Sequence, residues 1–140
     1  MSMSMPMAGI LLVEDDRDVR ESIAEVLEEE GYRVTLAKTG VDAIEQLGKS
    51  HHLPTAIVLD LMMPVMDGWE FWSLQQGHQA WASIPVVVIS ADTNAKEKAS
   101  SLHPVACLRK PLDIDELLGI LAHLAAQQAG GREPESGKHP

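Results

Sequence analysis

The run Ala56-Ile-Val-Leu59 contains no polar residue and stops at a carboxylate, Asp60. Four apolar residues, two of them β-branched, are too few for a helix but enough for a strand. Because apolar and polar residues do not alternate, such a strand is buried on both faces. That is the condition of a parallel sheet whose connections run over it as helices. Asp60 then stands at the carboxyl end of its strand, the edge where open α/β sheets place their ligands. A turn-rich segment with Pro64 and Asp67-Gly68 follows.

The rest of the chain repeats this grammar. Ile10–Val13 is a strand candidate ending in Glu14, Asp15 and Asp16. Across 18–30 the apolar positions Val19, Ile23, Val26 and Leu27 share a helical face, and Gly31 stops the helix. Arg33–Ala37 is strand-like, and Thr39 with Asp42 resembles a capping box opening a helix that carries Val41, Ile44 and Leu47. Gly68 to Gln76 is the third helix, with Phe71 and Trp72 turned inward and one of Trp69 and Trp72 facing solvent. The strand Ile84–Ile89 ends at Ser90, Thr93–Leu102 forms a short helix, and Val105–Leu108 precedes Arg109-Lys110-Pro111. A final helix from Asp113 to about Ala126 aligns Ile114, Leu117, Leu118, Leu121 and Leu124. Five strands alternating with five helices predict an α/β fold: a five-stranded parallel sheet, doubly wound by right-handed crossovers.

Residues 1–8 read as a flexible lead, 9–127 as one domain, and 128–140 as a polar tail too poor in apolar residues to order itself. A chain of 140 residues can bury such a core without staples. Its net charge of −10 argues against direct nucleic-acid binding, which needs clustered Lys and Arg. The single cysteine, Cys107, excludes an internal disulfide framework. Neither a membrane span nor a signal peptide is visible, so the expected location is cytoplasmic. His51 and His52 sit in a polar loop as surface residues.

Four strand candidates end in groups able to do chemistry: Glu14 with Asp15, Asp60, Ser90, and Lys110. In a parallel sheet all carboxyl ends lie on one edge, so these residues converge. Each has a plain reading when taken singly. Asp15 or Asp16 can cap the first helix, Asp60 can serve a turn, Ser90 can be a strand-end hydroxyl, and Lys110 can be a surface lysine. Their joint occurrence at successive strand ends is what those readings leave unexplained. Three carboxylates and one ammonium leave a surplus of negative charge that calls for a cation. A few hard oxygen ligands with room for water and phosphate suit Mg²⁺.

The segments Ile10-Leu-Leu-Val-Glu-Asp-Asp16, Ile57-Val-Leu-Asp-Leu-Met-Met-Pro-Val-Met-Asp-Gly68, Val86-Val-Val-Ile-Ser-Ala91 and Leu108-Arg-Lys-Pro111 carry a resemblance. Over roughly Met7 to Ala126 the chain resembles the receiver domain of two-component response regulators, a flavodoxin-like fold. The resemblance implies that Asp60 accepts a phosphoryl group from a histidine kinase, a histidine phosphotransfer protein or a small donor. It implies Mg²⁺, replaceable by Mn²⁺, held by the Asp15 and Asp60 carboxylates and the Met62 backbone carbonyl, with Glu14 holding metal-bound water. Lys110 would pair with phosphoryl oxygens, a cis peptide bond would precede Pro111, and Ser90 would be the switch hydroxyl. Such a domain is not an enzyme for a metabolite; it catalyses only its own phosphorylation and dephosphorylation.

Departures from the family pattern bear on output. An aromatic switch residue often stands three positions before the lysine, where this chain has Cys107, a small buried hydrophobe. Met62 and Asp92 occupy positions that tune phosphate lifetime in the family. A haloacid-dehalogenase-type phosphatase would want a second Asp at position 62. A pseudo-receiver that never sees phosphate is the other rival. With only a polar tail after the last helix, the expected role is a stand-alone receiver acting through an unnamed downstream protein or a relay. Homodimerisation on phosphorylation, through the fourth and fifth helices, is left open by the sequence.

Overall fold

The computed structural model describes residues 8–61 and 68–131. Residues 1–7 of the expected flexible lead, Met62, and residues 132–140 of the expected polar tail lie outside them. Five parallel strands, β1 (Gly9–Val13), β2 (Arg33–Ala37), β3 (Ala56–Asp60), β4 (Val86–Ser90) and β5 (Ala106–Arg109), pair in the order β2-β1-β3-β4-β5. The expected doubly wound α/β fold is what the chain adopts. Every residue of β3 and β4 is buried, as their unbroken apolar runs require. Edge strand β2 exposes three of its five residues.

Helices α1 (Arg17–Glu29) and α5 (Ile114–Gly131) cover one face, packing Ile23, Leu27, Leu117 and Leu121 on Ile10, Leu12, Val58 and Ile89. Helices α2 (Gly40–Lys49) and α3 (Gly68–Gln76) cover the other, with Leu47 and Phe71 against Leu11, Ile57, Leu59 and Val88. Alternate residues of each strand thus feed opposite cores, the period-two rule of the pleat. Both α1 ends are capped. Asp16 Oδ1 accepts the Val19 N–H at 3.1 Å. Gly31, at φ 96°, lets its own N–H reach the Glu28 carbonyl and that of Tyr32 reach Leu27. At α2, Thr39 Oγ1 accepts from Asp42 N–H, and Asp42 Oδ2 accepts from Lys38 N–H, both at 3.0 Å.

Four expectations need correction. The inward stripe of α1 is Arg20, Ile23, Ala24 and Leu27, with Val26 only partly buried. On α2 the buried residues are Gly40, Ala43 and Leu47, while Val41 faces solvent. The expected helix over 93–102 shrinks to one turn, α4 (Ala95–Lys98), and a 3₁₀ turn (Ser100–Leu102) that ends at His103 with φ 49°. Among the described side chains there, Ala95, Ala99 and Leu102 are the buried ones, too small an apolar stripe to hold a longer helix. Helix α5 runs past its expected end near Ala126 to Gly131, where Gln128 Nε2 donates to the Thr55 carbonyl at 2.9 Å.

Phe71 is fully buried in the α2–α3 core, whereas Leu74 on the same helix is half exposed. Phe71→Ala should cost about 3–5 kcal/mol and Leu74→Ala less than about 0.5 kcal/mol, read from urea unfolding midpoints. Equal midpoints would contradict this packing.

Candidate functional site

The strand order reverses between β1 and β3, and the residues ending these strands face each other there. Glu14, Asp15 and Asp60 bring one carboxylate oxygen each to within 4.8 Å of one another. Glu14 is fully buried, Asp60 nearly so, and Asp15 is exposed. Among the described residues this is the cluster of acids able to hold a metal ion. Lys110, following β5, crosses β4 to reach it. Its Nζ lies 2.8 Å from Glu14 Oε1 and 3.4 Å from Asp60 Oδ2. Burial alone lowers the Lys110 pKa, but the Glu14 and Asp60 carboxylates outweigh that and hold it above its ordinary value. At neutral pH the group is therefore a fixed cation.

Glu14 is held at both oxygens, because Oε2 accepts the Asp16 N–H at 3.0 Å. The backbone after β1 is braced by Arg20, which sequence reasoning missed. This buried guanidinium donates from Nη1 to the Glu14 carbonyl at 2.9 Å and approaches that of Asp15 at 3.4 Å. The signal was present: Arg20 stands three and four residues before Ile23 and Ala24, on the buried stripe. Asp16 is the helix cap, which leaves the Asp15 carboxylate to the cleft.

Ser90 ends β4, between the strands of Asp60 and Lys110, and is fully buried. Its Oγ accepts the Asp92 N–H at 3.1 Å, and its carbonyl accepts the Lys110 N–H at 2.9 Å. The Lys110–Pro111 peptide is cis. Cys107 pairs opposite Val88 and packs, partly buried, beside the α2–α3 core. Burial raises its thiol pKa, with the Lys96 charge opposing, so the thiol is protonated at neutral pH. Met62 lies outside the described residues.

The remaining singled-out residues sit elsewhere. Trp69 and Trp72 both pack partly buried against the α2–α3 core, so neither is simply a solvent-facing residue. Trp81 stacks on His78 with ring centroids 3.7 Å apart. His51 and His52 are exposed and line, with Arg33, a cleft of about 230 Å³. That cleft lies at the opposite, amino edge of the sheet. Beside Lys110, a largely apolar cleft of about 310 Å³ opens between Val19 and Ile23 of α1 and Pro111 and Leu112.

The response regulator receiver domain family matches residues 10–122. Response regulator Rre1 of Synechocystis is 34% identical over 132 residues, covering 91% of this chain and 56% of that protein. The chain thus spans about half the length of such curated relatives. The Francisella response regulator 1452 receiver domain superposes with a TM-score of 0.76 at 28% identity, covering 86% of this chain and 98% of its own. The receiver domain of the sensor histidine kinase PA1611 of Pseudomonas aeruginosa, solved with a magnesium ion coordinated in its active site cleft, gives 0.77 at 26% identity, covering 86% and 99%.

With three carboxylates facing one ammonium, removing a charge relieves repulsion. Asp15→Asn should raise the thermal midpoint of chelator-treated protein by roughly 2–5 °C. A lowered midpoint would mean that repulsion does not govern this cluster.

Proposed function

The chain belongs to the response regulator receiver domain family, and from that premise we propose that Asp60 accepts a phosphoryl group with the aid of Mg²⁺. The observation that carries this reading is Lys110 Nζ spanning Glu14 and Asp60 beside the exposed Asp15 carboxylate. An Asp60 oxygen attacks the phosphorus of a partner's phosphohistidine. The P–N bond breaks, the imidazole leaves with its electron pair, and an aspartyl phosphate forms. Lys110 lies where it can balance charge gathering on the phosphoryl oxygens, and the Ser90 hydroxyl is available to donate to one of them.

The donor set fits a hard divalent cation: all oxygen, net negative, and open to solvent on the Asp15 side. Asp15 and Asp60 would hold Mg²⁺ with the Met62 carbonyl, and Glu14 would hold a metal-bound water. When bound, the ion neutralises charge on the phosphoryl oxygens. The donor would be a histidine kinase or a phosphotransfer protein, for which the apolar cleft beside Lys110 offers an adjoining surface. Output is a population shift between two surfaces read by a downstream protein.

Intact-mass spectrometry after incubation with acetyl phosphate tests this. We expect one hydroxylamine-labile phosphoryl adduct that requires Mg²⁺ and is lost in Asp60→Asn. No adduct under any condition would sink the reading in favour of a phosphate-independent interaction module. Turnover of unrelated phosphate esters would favour a phosphatase.

A further inference from the structure

The loop after β4 is tied to α3 by a chain of polar contacts that begins at Ser90. Ser90 Oγ accepts the Asp92 N–H at 3.1 Å. Asp92 then organises the single turn of α4. Its Oδ1 accepts the Asn94 N–H at 2.8 Å, its carbonyl accepts the Ala95 N–H at 3.1 Å, and its Oδ2 pairs with Lys98 Nζ at 2.5 Å. At the far end of the turn, the Lys98 carbonyl accepts Trp69 Nε1–H at 3.1 Å. Trp69 is the second residue of α3, the helix after the Asp60 strand. The segments following β3 and β4 are thus joined through α4.

A four-residue helix does not persist on its own propensity. The turn is held by buried Ala95 and Ala99 beneath and by these two side-chain clamps. Lys98, with the Asn94 N–H, also holds the Asp92 carboxyl below its ordinary pKa, so the pair stays charged at neutral pH. Strand β5 offers no comparable lever. The β5 residue packed against the α2–α3 core is Cys107, which has no ring to swing.

We propose that Lys98 is a positioning residue for Ser90 and that its carbonyl's bond to Trp69 carries displacement of the Ser90 loop to the α3–α4 surface. The inference rests on Asp60 being the phosphoacceptor. When Ser90 turns toward a phosphoryl oxygen, the Asp92 N–H tethered to it moves, the Asp92–Lys98 clamp shifts, and the indole loses its acceptor. The tether resists displacement of Ser90, so cutting it should ease the turn of Ser90 toward a phosphoryl oxygen.

The test uses the full chain labelled with 5-fluorotryptophan, whose three tryptophans are assigned by single Trp→Phe variants. Intact mass verifies the adduct from acetyl phosphate and Mg²⁺. On phosphorylation the Trp69 ¹⁹F resonance should shift while that of Trp81, stacked on His78, stays. Lys98→Met should move the Trp69 resonance toward the phosphorylated position before any phosphate is added. Both Lys98→Met and Trp69→Phe should speed phosphorylation by acetyl phosphate about threefold to tenfold, the scale of one lost hydrogen bond or exposed ion pair. Lys98→Arg should restore the wild-type rate. A merely structural role would lower the melting midpoint without raising that rate. An adduct with an unmoved Trp69 resonance, or wild-type rates in Lys98→Met, would overturn the coupling while leaving the phosphoacceptor reading intact. Absence of any adduct would overturn both.

Discussion

Like charges crowded at the edge of an apolar sheet are the constraint on which the cleft depends. Glu14 and Asp60 are buried beside the exposed Asp15, an arrangement that costs free energy unless positive charge joins it. Lys110 supplies that charge from a strand two positions away in the sheet. Arg20 holds the backbone beneath the acids rather than their carboxylates. Among the described residues one cation therefore faces three carboxylates, and a further cation has a reason to bind. A phosphoryl group arriving with that cation would give Lys110 new oxygens to face. On the proposed reading, tension between burial and like charge would make the site responsive to both.

What surrounds the cleft is uneven in strength. Strands β3 and β4 are wholly buried and cannot move without exposing the core. The segment after β4 is the opposite: one helical turn, a 3₁₀ turn, and small or polar side chains. Displacement at Ser90 meets a rigid strand behind it and a lightly held turn ahead. Few buried apolar contacts are the physical mark of a region that rearranges at low cost.

Much of this could be read from residue order, and the failures have specific causes. The unbroken runs of β3 and β4 announced burial on both faces, and Gly31 announced the end of α1. Arg20 escapes a reading by residue type because charge argues for a solvent-facing side chain, although its spacing puts it on the buried stripe. The apolar character of Val41 argues for an inward side chain, but the helix's rotation, which Ala43 and Leu47 decide, turns it to solvent. The expected helix over 93–102 exceeds the observed turns because propensity ignores how little apolar surface the segment can bury. Helix α5 outruns its expected end because the Gln128 bond to Thr55 joins residues far apart in the chain.

Residue order by itself determined the class of fold, the strand edge on which Glu14, Asp15, Asp60, Ser90 and Lys110 gather, and the chemistry available to them. These follow from local rules: hydrophobic period sets the elements, and parallel pairing sends all carboxyl ends one way. Only the tertiary structure decided that Asp16 caps α1 while Asp15 joins the cluster, that Lys110 contacts both Glu14 and Asp60, and that Trp69 reaches the Lys98 carbonyl. Those contacts depend on sheet order, helix rotation and side-chain reach. Such quantities are set by packing between distant segments, and no local pattern encodes them.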